Sequence, residues 1–429
     1  MRILMFGWEF PPHMSGGLGT ASYGLTKGMA SCGDLEVIFV VPKAWGDEDQ
    51  SVIRLIGANK VPVAFKTVHY SGFEKTMEKI EVKSVIVPYV SPEDFWRVTR
   101  TKTVGYNLMA HVNNEGLIDF SGRYDDNLMD EIQKYAIVAS VIASENHFDI
   151  IHAHDWLAYP AGIAAKKASG KPLVIHVHAT DFDRSGGNVN PQVYDIEKLG
   201  MDVAEKVITV SNLTRDIVIN KYNIHPDKVE TVYNAVEPVK FKGESCVRKG
   251  FDEKVVTFLG RITLQKGPEY FIEAANKVLK VMDNVRFVMA GSGDMMERMM
   301  RRAAALKITD RFHFTGFLKG EDVFTMLEMS DVYIMPSVSE PFGISPLEAM
   351  QSYVPVIISK QSGVAEILTH AVKTDFWDID AMADAIYGIL NYPDLANMII
   401  KNGKEEVIRL KWDNSARHVK NIYERVLGY

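Results

Sequence analysis

The sequence predicts an α/β protein made of two doubly wound parallel sheets, on three observations. Short apolar, β-branched runs recur along the chain, amphipathic stretches separate them, and the runs fall into two series divided by a polar segment. A run apolar on both faces fits a strand covered by helices on each side, as in parallel sheets. Two such series, each alternating with helices, imply two doubly wound domains. The 429 residues leave room for two or three domains of about 100–200 residues each.

Taken in order, strands are expected from Arg2 (RILMFGW), Leu35 (LEVIFVVP), Asp149 (DIIHAHD), Pro172 (PLVIHVH), Val207 (VITVS) and Val229 (VETVYNAV). The second series starts at Lys254 (KVVTFLGR), Val285 (VRFVMAG), Arg311 (RFHFTGF), Val332 (VYIMPS) and Val354 (VPVIIS). Glu269 to Lys280 has helical spacing of its apolar residues. From Val90 to Asp130 the first series is interrupted by Gly, Asn, Asp and aromatic residues, which reads as an insertion with long loops. Between Ala235 and Asp252 the chain turns polar and irregular, with Pro238, Gly243 and Gly250, and is expected to link the domains. A last helix is expected from about Asn414 to Leu427, after a break at Lys411–Asp413. No internal repeat is visible.

Composition narrows the function. Apolar residues make up 47% and charged residues 24%, which excludes disordered, collagen-like and low-complexity chains. A net charge of −7 does not favour nucleic acid or an anionic membrane as partner, although a local basic pocket stays compatible with it. Cys32 and Cys246 stand in no disulfide or metal spacing. The opening RILMFGWEFPP is too short, and too broken by Pro11 and Pro12, for a signal peptide. No apolar run approaches the length of a membrane span. The expectation is a reduced, soluble, cytoplasmic protein.

In open parallel sheets ligands bind at the carboxyl ends of the strands, and four segments put chemistry there. MSGGLG, Met14 to Gly19, follows the first strand and precedes a helical stretch. Its glycines allow an anion close to the backbone and to unpaired N–H groups of the helix start. It matches neither G-x-G-x-x-G nor a P-loop, and an ordinary tight turn is the competing reading. GRITLQKG, Gly260 to Gly267, places Arg261 and Lys266 around a short loop, with Pro268 suited to the first helical position. Two cations there suit a diphosphate, Arg bidentately and Lys as a point charge, while solvated surface charges are the bland alternative.

In SEPFGISPLEAM, Ser339 to Met350, Pro341 and Pro346 exclude one continuous helix across Glu340 and Glu348. Ser345, Pro346 and Glu348 read as N-cap, N1 and N3 of a capping box, a structural account of Glu348. Glu340 has no such account; a carboxylate in that loop needs a polar partner such as a sugar hydroxyl. HAHD (His152 to Asp155) and HVHATD (His176 to Asp181) end two strands. Lacking a carboxylate-rich shell, they are expected to pack one His from each strand in the sheet, with His178 and Asp155 facing a cleft. The DFD triplet, Asp181 to Asp183, imitates a metal-binding D-x-D but has chance counterparts at Asp47 to Asp49 and Asp378 to Asp380.

The ordered set of WEFPP, SGGLG, HAHDW, the His178 strand, GRITLQKG, GSGD, GFL and SEPFGISPLEAM resembles the retaining GT-B glycosyltransferases. Within these it is most similar to the glycogen and starch synthase-like members of the nucleotide-sugar-dependent family, over nearly the whole chain. The resemblance implies two Rossmann-like domains facing a cleft: an acceptor domain over 1–237, a donor domain over 238–410, and a C-terminal helix, 411–429, returning to the first. It implies transfer of an α-glucosyl unit from ADP-glucose or UDP-glucose to an α-glucan or other glycan acceptor, with no cofactor and no metal.

Residue by residue, Gly16, Gly17 and Leu18 are similar to the loop meeting the donor phosphates and sugar, and Arg261 and Lys266 to the pair neutralising the leaving diphosphate. Glu348 resembles the carboxylate holding the ribose hydroxyls and Glu340 the one near the sugar 3- and 4-hydroxyls, where backbone N–H groups of Phe342, Gly343 and Ile344 would add support. His178 resembles the cleft histidine beside the transferred sugar, Asp155 a carboxylate on the acceptor side, and Gly291, Gly293, Phe317 and Leu318 nucleotide contacts. The chain departs from the pattern at Met14, where ADP-glucose-using synthases commonly carry Lys, at SGVAE (Ser362 to Glu366) in place of G-G-x-P-E, and at KTDFWDID in place of a glycine-rich turn.

One alternative is a transferase of the same fold acting on a cell-envelope glycan or small sugar. A membrane acceptor would favour a basic amphipathic helix in the first domain, and none is seen. A non-catalytic nucleotide-sugar or glycan sensor is the other, opposed by the joint presence of Arg261, Lys266, Glu340 and Glu348. A sugar-nucleotide epimerase would need a base set that is not found.

Overall fold

The computed structural model describes residues 1–13, 16–51, 53–63, 113, 116–124, 127–238 and 249–429. Met14, Cys246 and most of the expected insertion and linker lie outside them.

Two parallel sheets form, each with central strands buried along most of their length and less buried strands at its edges. The first contains β1 (Arg2–Phe6), β2 (Glu36–Val41), β3 (Arg54–Gly57), β4 (Ile150–His154), β5 (Leu173–Val177), β6 (Lys206–Thr209) and β7 (Val229–Thr231), in the order β3-β2-β1-β4-β5-β6-β7. The second contains β8 (Lys254–Leu259), β9 (Val285–Ala290), β10 (Phe312–Gly316), β11 (Val332–Met335), β12 (Val356–Ser359) and β13 (Val372–Thr374), in the order β10-β9-β8-β11-β12-β13. Each order reverses once, beside β1 and beside β8, and such a switch point opens a crevice at the strand ends.

Period two along the strands splits the first core into two layers. Leu4 and Phe6 of β1 face the helices Leu128–Glu145 and Asp155–Ser169, whereas Ile3 and Met5 face the helices Gly17–Ser31 and Trp412–Leu427. The last helix begins two residues earlier than expected, because buried Trp412 and Ala416 seat on the first domain. There Gly24 and Gly28 leave the room: a Cβ at Gly24 would lie 2.2 Å from the Trp412 indole, and one at Gly28 2.5 Å from the Trp412 carbonyl oxygen. The chain therefore crosses between the lobes twice, and beside the returning segment the N–H of Val236 donates to the carbonyl of Leu410 at 3.4 Å.

The eleven strands expected from the sequence are present. The edge strands β3 and β13 were not expected, being only 4 and 3 residues long and paired on one side. The insertion expected to run to Asp130 gives way to the helix Leu128–Glu145 slightly earlier, and residues 116–124 before it are loop.

Candidate active site

The two switch points face each other, and every site residue named from the sequence lines the cleft of about 860 Å³ between them. Gly16, Gly17 and Leu18 come from the turn after β1, Asp155 follows β4, and His178 follows β5. Across the cleft stand Arg261 and Lys266 after β8, Gly291 and Gly293 after β9, and Phe317 and Leu318 after β10. Glu340, Phe342, Gly343, Ile344 and Glu348 follow β11.

The glycines divide into two kinds. A Cβ on Gly16 or Gly17 would meet nothing within 4 Å, so packing does not require glycine there and the bare backbone faces the cleft. A Cβ on Gly291 would lie 1.8 Å from the Gly260 carbonyl oxygen, and one on Gly293 2.3 Å from that of Ile262. These two are demanded by the close approach of neighbouring loops.

Glu340 finds its polar partners within the chain. Its Oε2 forms an ion pair with Lys266 Nζ and accepts a hydrogen bond from Ser337 Oγ at 3.2 Å. The cation and carboxylate thus hold one another, with side-chain exposures of 20% and 8%. The loop is pinned from both sides: Val338 N–H donates to the Gln265 carbonyl and Glu340 N–H to that of Gln361, each at 2.9 Å.

The expected capping box at Ser345 is absent. Ser345 is already the first helical residue, with Ile344 at the cap, and its hydroxyl accepts from Tyr333 Oη at 3.0 Å. With the helix starting one residue earlier, Pro346 takes its second position, and Glu348 lines the cleft. Burial raises the Glu348 carboxyl from the usual 4.5 to about 7.

More histidines are interior than expected: both His152 and His154 from β4, together with His176 from β5, are buried on the face toward the C-terminal helix. Their rings stack with interplanar angles of 11–26° and centroids 4.4–5.3 Å apart, so their planes run side by side. His152 Nδ1 meets Tyr423 Oη of the last helix, and His154 Nδ1 lies 2.8 Å from His178 Nε2. Burial drives the His178 pKa down to about 3, so this cleft imidazole is neutral.

Asp155 holds a left-handed backbone, φ 58°, at the start of its helix. Its Oδ1 accepts the N–H groups of His178 at 2.7 Å and Ala179 at 3.3 Å, so the carboxylate shapes the wall next to the histidine. Burial pushes its pKa up to about 6, against the opposing pull of Arg184 and these N–H donors. The acids of DFD are engaged in structure: Asp183 completes a capping box with Thr180 and accepts from Ser339 Oγ of the other lobe at 2.6 Å, while Asp181 takes the Asn190 N–H at 2.6 Å.

The cleft also contains residues that sequence reasoning left without a role, among them Glu9, Thr20, Asn234, Thr263, Gln265 and Lys319. Glu9 and Asn234 follow β1 and β7, and their place just beyond strand ends was the available signal.

Residues 247–406 match the family model of glycosyl transferases group 1, and residues 128–240 that of glycosyltransferase family 4. An uncharacterized glycosyltransferase of Methanocaldococcus jannaschii is 31% identical over 75% of this chain and 88% of its own. The glycogen synthase of Mycobacterium tuberculosis is 22% identical over 99% of this chain and 94% of its own. Among solved structures, sucrose-phosphate synthase from Thermosynechococcus elongatus superposes with a TM-score of 0.73 at 18% identity, covering 100% of this chain and 99% of that one. With paired sheets meeting at a cleft and a relative above 30% identity along most of its length, the chain belongs to the group 1 glycosyltransferases of GT-B fold.

Proposed function

We propose that the protein transfers an α-glucosyl unit from ADP-glucose or UDP-glucose to the non-reducing end of an α-1,4-glucan, retaining the anomeric configuration. The observation that carries this is the convergence of Arg261, Lys266, Glu340, Glu348 and the open Gly16–Gly17 backbone on one interdomain cleft. Similarity to a glycogen synthase over nearly the whole chain supports the acceptor.

In this reading the bond from C1 of glucose to the diphosphate oxygen breaks, and a bond from C1 to the acceptor hydroxyl forms on the same face. The hydroxyl proton passes to the departing phosphate oxygen. Negative charge grows on the diphosphate, and Arg261 and Lys266 stabilise it more in the transition state than before it. Donor binding frees Lys266 from Glu340, turning the cation to phosphate and the carboxylate to the sugar hydroxyls. Glu348 receives the ribose. His178, being neutral, offers hydrogen bonds beside the sugar without repelling positive charge at C1.

Incubation with each radiolabelled nucleotide sugar, with and without glycogen, tests the proposal. Label entering the polymer with matching release of nucleoside diphosphate is expected. Hydrolysis of either donor with no label in any glucan would refute the acceptor.

A further inference from the structure

Beyond the cleft floor, the loops after β1 and β2 carry an exposed aromatic group on a firmly held backbone. Trp45 keeps 47% of its surface exposed. Beneath it, buried Glu48 accepts the N–H groups of Trp45 at 2.5 Å and Gly46 at 2.9 Å, and Asn59 Oδ1 accepts that of Ala44 at 3.0 Å. Polar groups border the ring. The His13 imidazole lies 5.1 Å from it, with planes 31° apart, and pairs through Nε2 with Asp47 Oδ1 at 2.7 Å. The Lys43 ammonium rests 4.3 Å over the indole.

This is the set of groups that recognises a pyranose. The C–H face of the sugar stacks on an aromatic ring, and the hydroxyl rim needs a carboxylate and donors at its edge. The chain itself bounds the distance to the cleft. His13 stands three residues before cleft-lining Gly16, so their Cα atoms are within about 11 Å. On the other side, a Cβ at Gly122 would lie 3.0 Å from Lys43 Cβ, and Tyr124, two residues on, lines the cleft.

We propose that Trp45, with His13 and Asp47, forms an outer acceptor subsite that holds a glucosyl unit of an α-glucan some way back from its reacting end. This rests on the acceptor class proposed above. Lys43 has a flexible stem; on binding, its ammonium leaves the ring face and turns to the sugar hydroxyls.

Calorimetric titration of maltoheptaose into the wild type, Trp45→Ala and Trp45→Phe tests it, with thermal melts to show that the exposed position leaves folding intact. Trp45→Ala should weaken binding about tenfold, the worth of one aromatic stack, while Trp45→Phe retains most of it. Equal affinity in wild type and Trp45→Ala overturns the proposal, and so does a wild type that does not bind maltoheptaose. A parallel transfer assay separates the two readings. Transfer to glycogen with Trp45-independent binding removes the subsite alone; Trp45-dependent binding without transfer to any glucan removes the acceptor reading and with it the acceptor role of Trp45, leaving a glucan-binding surface only.

Discussion

Arg261 and Lys266 stand at the two ends of one short turn after β8, and the reaction proposed here gives them work only as the diphosphate departs. Replacing Arg261 with Ala should lower kcat/KM about a hundredfold, as loss of one preorganised donor typically does, while the melting temperature barely moves. Steady-state kinetics beside a thermal melt check it; unchanged turnover would contradict the role. Glu348 supplies a pH prediction. Its carboxyl titrates near 7 when folded against 4.5 ordinarily, so the folded state binds the extra proton between these values. That contribution to stability is complete below pH 4.5 and is lost as pH rises through about 7. Between pH 5 and pH 8, wild type should therefore lose stability relative to Glu348→Gln in urea titrations; parallel curves would show that the acid is not buried as described. Arg261, Lys266 and Glu348 were legible because each belongs to a contiguous motif beyond a strand end. The partners of Glu340 and Ser345 were not, since Lys266 reaches Glu340 through space from the turn after β8 and Tyr333 reaches Ser345 across the loop that folds back over β11.

At the scale of elements, the packing of the helix Gly17–Ser31 against Trp412–Leu427 reverses the usual effect of a helical glycine. Gly→Ala inside a helix ordinarily stabilises by about 1 kcal/mol. At Gly28 the new methyl would meet the Trp412 carbonyl at 2.5 Å, and overpacking of that kind costs about 1–3 kcal/mol. Gly28→Ala should therefore lower stability. Gly388→Ala, where the nearest atom is 4.0 Å away on Leu395, should raise it by about 1 kcal/mol. Chemical denaturation of the pair decides, and a stabilising Gly28→Ala would mean that the two helices are not in this contact. The central strands could be read from sequence because a short, wholly apolar, β-branched run is too brief for a buried helix and suits a strand covered on both faces. β3 and β13 lacked that signature. The start of the last helix was misjudged because Trp412 is fixed by a partner nearly 400 positions earlier in the chain, which no local pattern reveals.

The molecule as a whole is held at its cleft by contacts that join the lobes. Glu366 accepts the N–H groups of Asn212 at 2.9 Å and Leu213 at 2.7 Å, at the start of a first-lobe helix, and receives Tyr233 Oη at 2.8 Å. Gly363, three residues before it, takes part in the turn that carries Glu340, since its N–H donates to the Glu340 carbonyl at 2.9 Å. Lobe contact and the Glu340 loop are thus one assembly. Glu366→Ala should widen the cleft, seen as a larger radius of gyration in solution scattering, and raise the donor KM several-fold, because two N–H groups and a tyrosine hydroxyl of the first lobe lose their shared acceptor in the second. Identical scattering and KM would dissociate the contact from the site. The double crossing of the chain also sets where the first lobe ends. Its outgoing and returning segments meet where the Val236 N–H donates to the Leu410 carbonyl, and the helix Trp412–Leu427 then covers Ile3 and Met5 of β1. A chain cut before that helix would leave an apolar face of the first sheet bare to water.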